Sequence, residues 1–214
     1  MKSIKDLIGE QEAVSQRVLL KDSFRNIESV GGADCSFSGG RVFASVVACA
    51  FPSMELLEIS VHCEDEAFPY IPGFLSYREM RPVSEALKGL KAGIDILLVD
   101  GQGICHPRGI GLASHLGVIA GIPTIGVAKS RLCGDVRGNR IFLNGVQAGW
   151  LVHPEKGKPL YVSPGHMVSL GSSLRIVRAC LRGHRLPEPL RLAHMHAALK
   201  KTNINQLFRN GLHI

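Results

Sequence analysis

The sequence predicts an α/β fold, a mixed β-sheet flanked by helices. Three observations predict it. Three strand-like runs lie near the N-terminal end, joined by connections of only a few residues. Helix and strand signals alternate after them, and one of the later strand candidates is apolar at every position but Asp95, as burial on both faces requires. A chain of 214 residues, 45% of them hydrophobic, can bury a substantial core and is read as one domain over 1–214, with 203–214 a flexible basic tail.

The opening segment carries Ile4, Leu7, Ile8, Val14, Val18 and Leu19 at helical spacing behind a Ser3 cap, which predicts an amphipathic helix over the core. Strands follow over 28–37, 41–51 and 54–63, and their short Ser-Gly-Gly and Pro-Ser-Met turns allow only antiparallel neighbours. A helix is expected over 79–91, with Pro82 in its first turn, where a missing N–H costs nothing. The apolar run 94–99 predicts a buried strand that ends in the turn Asp100-Gly-Gln-Gly, and a helix over 109–120 and a strand over 124–128 complete the alternation. This is the ribonuclease H-like order. Strands near 140–143 and 147–153 and helices near 170–182 and 189–200 close the chain.

Composition narrows the class. No stretch approaches the roughly 18 uncharged apolar residues of a membrane helix, and the N-terminus lacks a signal-peptide core, so a cytoplasmic protein with no membrane partner is expected. The six cysteines are widely spaced with no Cys-x-x-Cys pair, which points to reduced, mostly buried thiols. Residues 1–128 hold 11 Lys and Arg against 15 Asp and Glu, and residues 129–214 hold 14 against 3, a net of about −4 and +11. A carboxylate-rich half joined to a basic half suits a metal site beside a polyanion-binding surface, although a solvated basic face has the same composition. No motif for an obligate protein partner is present.

The predicted order places Asp34 on the first and central strand, Asp100 at the end of a neighbouring strand and Glu79 at the start of the connecting helix. These places can converge, and three carboxylates offer hard oxygen ligands to Mg²⁺, with Mn²⁺ as the alternative. Each acid alone has a plainer reading, as a turn former or a helix-dipole partner. Asp34 is the hardest to dismiss, because Val30, Gly31, Gly32, Ala33 and Cys35 surround it and an ionised group there needs a partner. A phosphate-binding loop at Gly121–Gly126 fails, because Val127 and Ala128 separate the last glycine from Lys129-Ser130.

Six stretches then fall in one order over about residues 28–200: Val30-Gly-Gly-Ala-Asp34-Cys-Ser-Phe, Pro69-Tyr-Ile-Pro-Gly-Phe-Leu-Ser-Tyr-Arg-Glu79, Val99-Asp100-Gly-Gln-Gly-Ile-Cys-His106-Pro-Arg, Gly111-Leu-Ala-Ser-His-Leu-Gly, Gly126-Val-Ala-Lys129 and Pro187-Glu-Pro-Leu-Arg-Leu-Ala-His194. Together they resemble the endonuclease V family, repair nucleases acting on deaminated adenine (inosine). The resemblance implies metal-dependent hydrolysis of the second phosphodiester 3′ to inosine, leaving 5′-phosphate and 3′-hydroxyl ends, on DNA and, in some members, on RNA. It assigns Asp34, Glu79, Asp100 and His194 to the metal site and Lys129 to charge stabilisation at the scissile phosphate. Pro69, Tyr70, Ile71 and Pro72 become a wedge that fills the gap when the base is turned out. Gly73, Leu75, Gly101, Gly111 and Gly126 become candidates for the base pocket.

Two further residues belong to the same neighbourhood. His106, six residues past Asp100, is expected near the metal site, to contact phosphate or support a ligand. Arg78, beside Glu79, is expected to pair with an acid or contact the strand, whereas His115 on an apolar helix reads as a packed residue. Two other functions are weighed: a module that binds inosine-containing nucleic acid without cutting, and a nuclease for branched or other structured nucleic acid. The carboxylates weigh against the first and the wedge loop against the second.

Overall fold

The computed structural model describes residues 2–209, with side chains described through Leu199. Helix α1 (Ile4–Ser15) starts at a reciprocal cap: the Ser3 hydroxyl accepts the Asp6 N–H at 3.2 Å and the Asp6 carboxylate accepts the Ser3 N–H at 2.9 Å. It ends before Val18 and Leu19, which were expected to extend it. Its buried positions are Leu7, Gln11 and Val14, the last packed with Ile110 and Val118.

Strands β1 (Ser29–Ser38), β2 (Arg41–Ala50) and β3 (Leu56–Asp65) form an antiparallel meander. The first turn uses Gly39 and Gly40 at φ +58° and +73°, the left-handed backbone that a tight two-residue hairpin needs at both positions. After helix α2 (Leu75–Lys88), strand β4 (Ile96–Val99) pairs parallel to β1; after helix α3 (Leu112–Ala120), β5 (Thr124–Ala128) pairs parallel to β4. Then come β6 (Asp135–Arg137), β7 (Arg140–Leu143), β8 (Val146–Val152), β9 (Leu160–His166), α4 (Leu170–Ala179) and α5 (Glu188–Arg209). The sheet order is β3-β2-β1-β4-β5-β9-β8-β7-β6.

Period-two alternation explains the uninterrupted apolar run of β4. Ile96 and Leu98 join Val30, Ile125, Val177 and Leu190 on the face under α4 and α5, while Leu97 and Val99 join Ala33, Val83, Leu112 and Leu116 on the face under α2 and α3. Both faces are thus closed by helices, as the sequence predicts. Helix α5 lies directly on β1 because Gly32 has no side chain: a Cβ there would stand 2.2 Å from the Pro189 backbone. That approach carries His194, one and a half turns on, over Asp34.

Three expectations need correction. Helix α2 begins at Leu75 and not near Glu79, so Glu79 lies one turn inside it, and Pro82 sits in the helix interior. Pro82 removes the hydrogen bond to the Arg78 carbonyl, a loss of about 3 kcal/mol in an open helix, offset here by burial with Val83 and Ala86 against the sheet. Strand β9 was not expected, and its Pro164-Gly165 pair disfavours a strand interior. Pro164 is tolerated because β8 pairs only with 160–162 and β5 is bulged between Thr124 and Ile125, opposite it. The short β6 was missed as well. The tail expected over 203–214 falls where at most the backbone is described, and past 209 it lies outside the described residues.

Candidate active site

Three elements deliver the acids. Asp34 is on β1, paired on one side with Ser45 of β2 and flanked on the other by β4, whose Val99 is level with Ala33. Asp100 follows β4 immediately, and its N–H donates to the Ala33 carbonyl at 3.0 Å, which continues the β1–β4 ladder by one step and sets the two carboxylates side by side. Glu79 reaches the same place from α2 and is only 8% exposed, as is Asp34. Their convergence has an electrostatic signature. Burial, then the charges of Asp34 and Asp100, push the Glu79 carboxyl up to about 8. Burial and the Asp34 charge likewise raise Asp100, and the Cys35 thiol between them is raised well above its ordinary value by burial and all three acids.

Two cationic or protonatable groups answer this charge. The Lys129 ammonium, just past β5, donates to Asp100 Oδ2 and stands 3.9 Å from Asp34 Oδ2. Burial alone would lower this lysine, but Asp100 and Asp34 outweigh it and hold the ammonium charged. His194 Nδ1 lies 2.6 Å from Asp34 Oδ2, a contact that raises the imidazole, although half of its side chain remains open to solvent. The other Asp34 oxygen accepts the Cys35 N–H at 2.8 Å. Among the described residues no three His, Cys, Asp or Glu side chains stand ready-made around one point, since Asp34 and Asp100 turn oxygens to Lys129 and His194. The donor chemistry nevertheless fits a hard divalent cation. Three buried carboxylates share one ammonium, and an added cation at their edge would relieve their mutual repulsion.

A pocket of ≈ 260 Å³ opens beside the acids, with Asp100 and Lys129 in one wall and Tyr70, Ile71 and Pro72 in another. Gly73, Leu75, Gly101 and Gly111 also line it, as does His106. Gly126 does not: it lies beneath the 101–103 loop, where a Cβ would meet Gly103 N at 2.2 Å. Tyr70 projects at 63% exposure from its proline-bounded loop, while Arg78 stacks at 3.7 Å on Phe37 and pairs with Glu66 at 2.9 Å. Of the two options for Arg78, pairing with an acid holds, though the acid is not a member of the site.

His106 departs from expectation. Its hydrogen bonds go to no carboxylate: Nε2 donates to the Gly73 carbonyl at 3.0 Å and Nδ1 accepts the Arg108 N–H at 3.2 Å. Burial lowers it to about 4, so the neutral imidazole is the form the fold holds. His115 is packed as expected, edge-on to Tyr77 and hydrogen-bonded to Ser76 at 3.0 Å. Five lining residues lie outside the six stretches: Gln11, Ile110, Ser130, Arg131 and Leu132. Gln11 did leave a signal, a polar residue on the buried stripe of an amphipathic helix between Leu7 and Val14. Gln102 stands within one of the stretches, but its role of tying the loop to the Ser130 carbonyl at 2.9 Å exists only in the fold.

Residues 12–195 match the family model described as Endonuclease V. The chain belongs to the endonuclease V family. Among relatives in that family is an endonuclease V of Methanothrix thermoacetophila, 43% identical over 213 residues that cover 93% of this chain and 95% of the relative. The solved catalytic domain of human endonuclease V is 31% identical, with a TM-score of 0.85 over 96% of this chain and all of that one. An endonuclease V of Ciona intestinalis, solved with a 24mer DNA containing an inosine followed by a ribo-adenosine, is 28% identical with a TM-score of 0.87, covering 94% of this chain and 98% of that one. These neighbours carry the ribonuclease H-like architecture described above, so the expected fold and family are met. Among the described residues no helix is long and apolar enough to cross a membrane.

Proposed function

We propose that this protein is a divalent-metal-dependent endonuclease that recognises inosine, the deaminated form of adenosine, in DNA and hydrolyses the second phosphodiester on its 3′ side. The observation that carries the reading is that the pocket and the acids share a wall. Asp100 and Lys129 line the same ≈ 260 Å³ space as Tyr70, Ile71, Pro72 and Gly73, so a base held there leaves its own backbone beside the carboxylates. The space is near the lower end of small-ligand sites, about 300–1,000 Å³, and suits one turned-out base. The Ciona relative's inosine-containing DNA supports the same substrate class.

The reading gives each residue a role that its position supports. Tyr70, held between two prolines and mostly exposed, fills the vacated stack and compensates part of the few kcal/mol that extrusion costs. Backbone groups of Gly73, Leu75, Gly101 and Gly111 read the base edge, where hypoxanthine differs from adenine in presenting O6 and N1–H. Asp34, Glu79 and Asp100, with His194, would hold Mg²⁺ or Mn²⁺, a cation that would supply water activation at neutral pH and neutralisation of phosphate charge. His194, half exposed and hydrogen-bonded to Asp34 through Nδ1, has one ring nitrogen left, which would serve either that cation or the orientation of the attacking water. The Lys129 ammonium can swing from Asp100 to the phosphate oxygens, where negative charge grows. The products are a 3′-hydroxyl and a 5′-phosphate. Inosine in RNA is the second substrate of this reading, since a pocket that reads the base edge places no demand on the sugar.

The test is a labelled duplex with one deoxyinosine, incubated with Mg²⁺ or with EDTA. A nick one nucleotide beyond inosine that needs metal is expected. The Asp34→Ala and Asp100→Ala proteins should keep binding and lose cutting by at least about 10³-fold. Metal-independent cutting, or equal cutting of an adenine control, would refute the proposal.

A further inference from the structure

Helix α1 contributes nothing to the acid cluster, and yet one of its side chains is built into the pocket. Gln11 is 1% exposed, and its amide is used at both ends: Nε2 donates to the Gly73 carbonyl at 3.0 Å and Oε1 accepts Arg108 Nε at 2.5 Å. The same carbonyl receives Arg108 Nη2 at 2.7 Å and His106 Nε2 at 3.0 Å. The His106 proton is on Nε2, because Nδ1 is occupied as the acceptor of the Arg108 N–H. Three donors therefore converge on one carbonyl that offers two lone pairs. The residue they hold is Gly73, at φ +80°, directly behind the Pro69–Pro72 wedge.

The next peptide N–H, of Phe74, donates back to the Ile71 carbonyl at 2.9 Å, so the 73–74 peptide is fixed at both ends. A second link ties the same helix to α2, through the Tyr77 hydroxyl on the Leu7 carbonyl at 2.9 Å. A helix needed only to cover apolar surface would carry a Leu at position 11; it carries instead an amide that saturates a loop carbonyl 62 residues away.

We infer that Gln11 is a positioning residue for lesion recognition: with His106 and Arg108 it forms a bracket on the Gly73 carbonyl that sets the wedge and the adjoining pocket wall in the shape a turned-out base requires. The inference rests on the inosine reading above. Without the bracket, part of the binding free energy of the lesion is spent on ordering the loop, and the loss falls on inosine alone. Phosphate contacts, which bind any duplex, are left as they were.

The experiment compares wild type, Gln11→Leu and Gln11→Glu by fluorescence anisotropy in EDTA, on a duplex with one inosine and on the same duplex with adenine. The Glu variant keeps a partner for Arg108 and the packing of α1, but cannot donate to Gly73, so it separates the bracket from simple packing. Both variants should lower the inosine-over-adenine affinity ratio about tenfold, the worth of one hydrogen bond to a fixed carbonyl. Adenine-duplex affinity should stay within roughly twofold. With Mg²⁺, KM for the inosine duplex should rise while kcat is retained. An unchanged ratio in the Gln11→Glu protein, or parallel loss on both duplexes, would overturn the role. A wild-type protein with no inosine preference would overturn the functional reading itself, a result readable before any variant is made.

Discussion

Gly126→Ala is the sharpest test of how the fold holds its active-site loop. A Cβ at position 126 would lie 2.2 Å from Gly103 N, 2.6 Å from the Gln102 carbonyl carbon and 2.7 Å from the Gly101 oxygen, all backbone atoms. Ordinary contact begins at 3.4 Å, so the 101–103 loop would have to retreat from β5 by about 1.2 Å. It is not free to do so. Gly103 N is tied to Ser163 Oγ at 3.0 Å, Gly111 N to Gly103 O at 2.9 Å, and Ala113 N to Gln102 O at 3.0 Å. The overpacking should cost about 1–3 kcal/mol, a fall in thermal midpoint of roughly 3–10 °C for a domain of this size. Asp100 immediately precedes the loop, and if it acts in the chemistry as proposed, a displacement near 1 Å there would cost on the order of 10²-fold in rate.

The assay is single-turnover cleavage of the inosine duplex, read beside a circular-dichroism melt. Gly171→Ala is the control: its Cβ meets nothing within 4 Å on the exposed side of α4. It should leave cutting unchanged and shift stability by at most about 1 kcal/mol, upward. If Gly126→Ala matched Gly171→Ala in both melt and rate, the loop would not be pinned as described, and the argument from its backbone contacts would fail.

Two further outcomes are expected. Tyr70→Ala should leave the melt within about 0.5 kcal/mol of wild type, since the ring is 63% exposed, and should weaken inosine cutting about tenfold, with abasic or mismatched sites, where extrusion is easier, less affected. His106 is held near 4, below its ordinary value of 6.5, so the unfolded chain binds its proton first; the neutral imidazole contributes stability in full above pH 6.5 that is lost as pH falls toward 4. Urea melts between pH 7 and 4 should therefore show wild type losing up to about 3 kcal/mol more than His106→Gln, and parallel curves would contradict the assignment.

Much of the site was legible because its residues obey local rules. Asp34 declares itself as a charge in an apolar strand, Asp100 as the end of a run buried on both faces, and Pro69–Pro72 as a stiff loop that presents an aromatic and an aliphatic side chain between two prolines. The errors came where a tertiary contact overrode a local preference. Pro82 was assigned to a first turn because a proline inside a helix forfeits a hydrogen bond; burial against the sheet allowed it two turns in, and α2 consequently begins at Leu75. Pro164-Gly165 disfavours a strand interior, and β5 accommodates it with a bulge opposite.

The sequence by itself determined which residues could do chemistry, since side-chain type and strand or helix periodicity are properties of a few adjacent positions. It determined the two-faced strands, the turn glycines and the acids that a hard cation would take. Only the tertiary structure decided which groups answer one another. It turned His106 away from the carboxylates and onto Gly73, set Lys129 against Asp100 and Asp34, and put Gln11 into a pocket whose other walls lie 59 or more positions further along the chain. Those pairings depend on how the helices seat on the sheet, and no window of local sequence contains that.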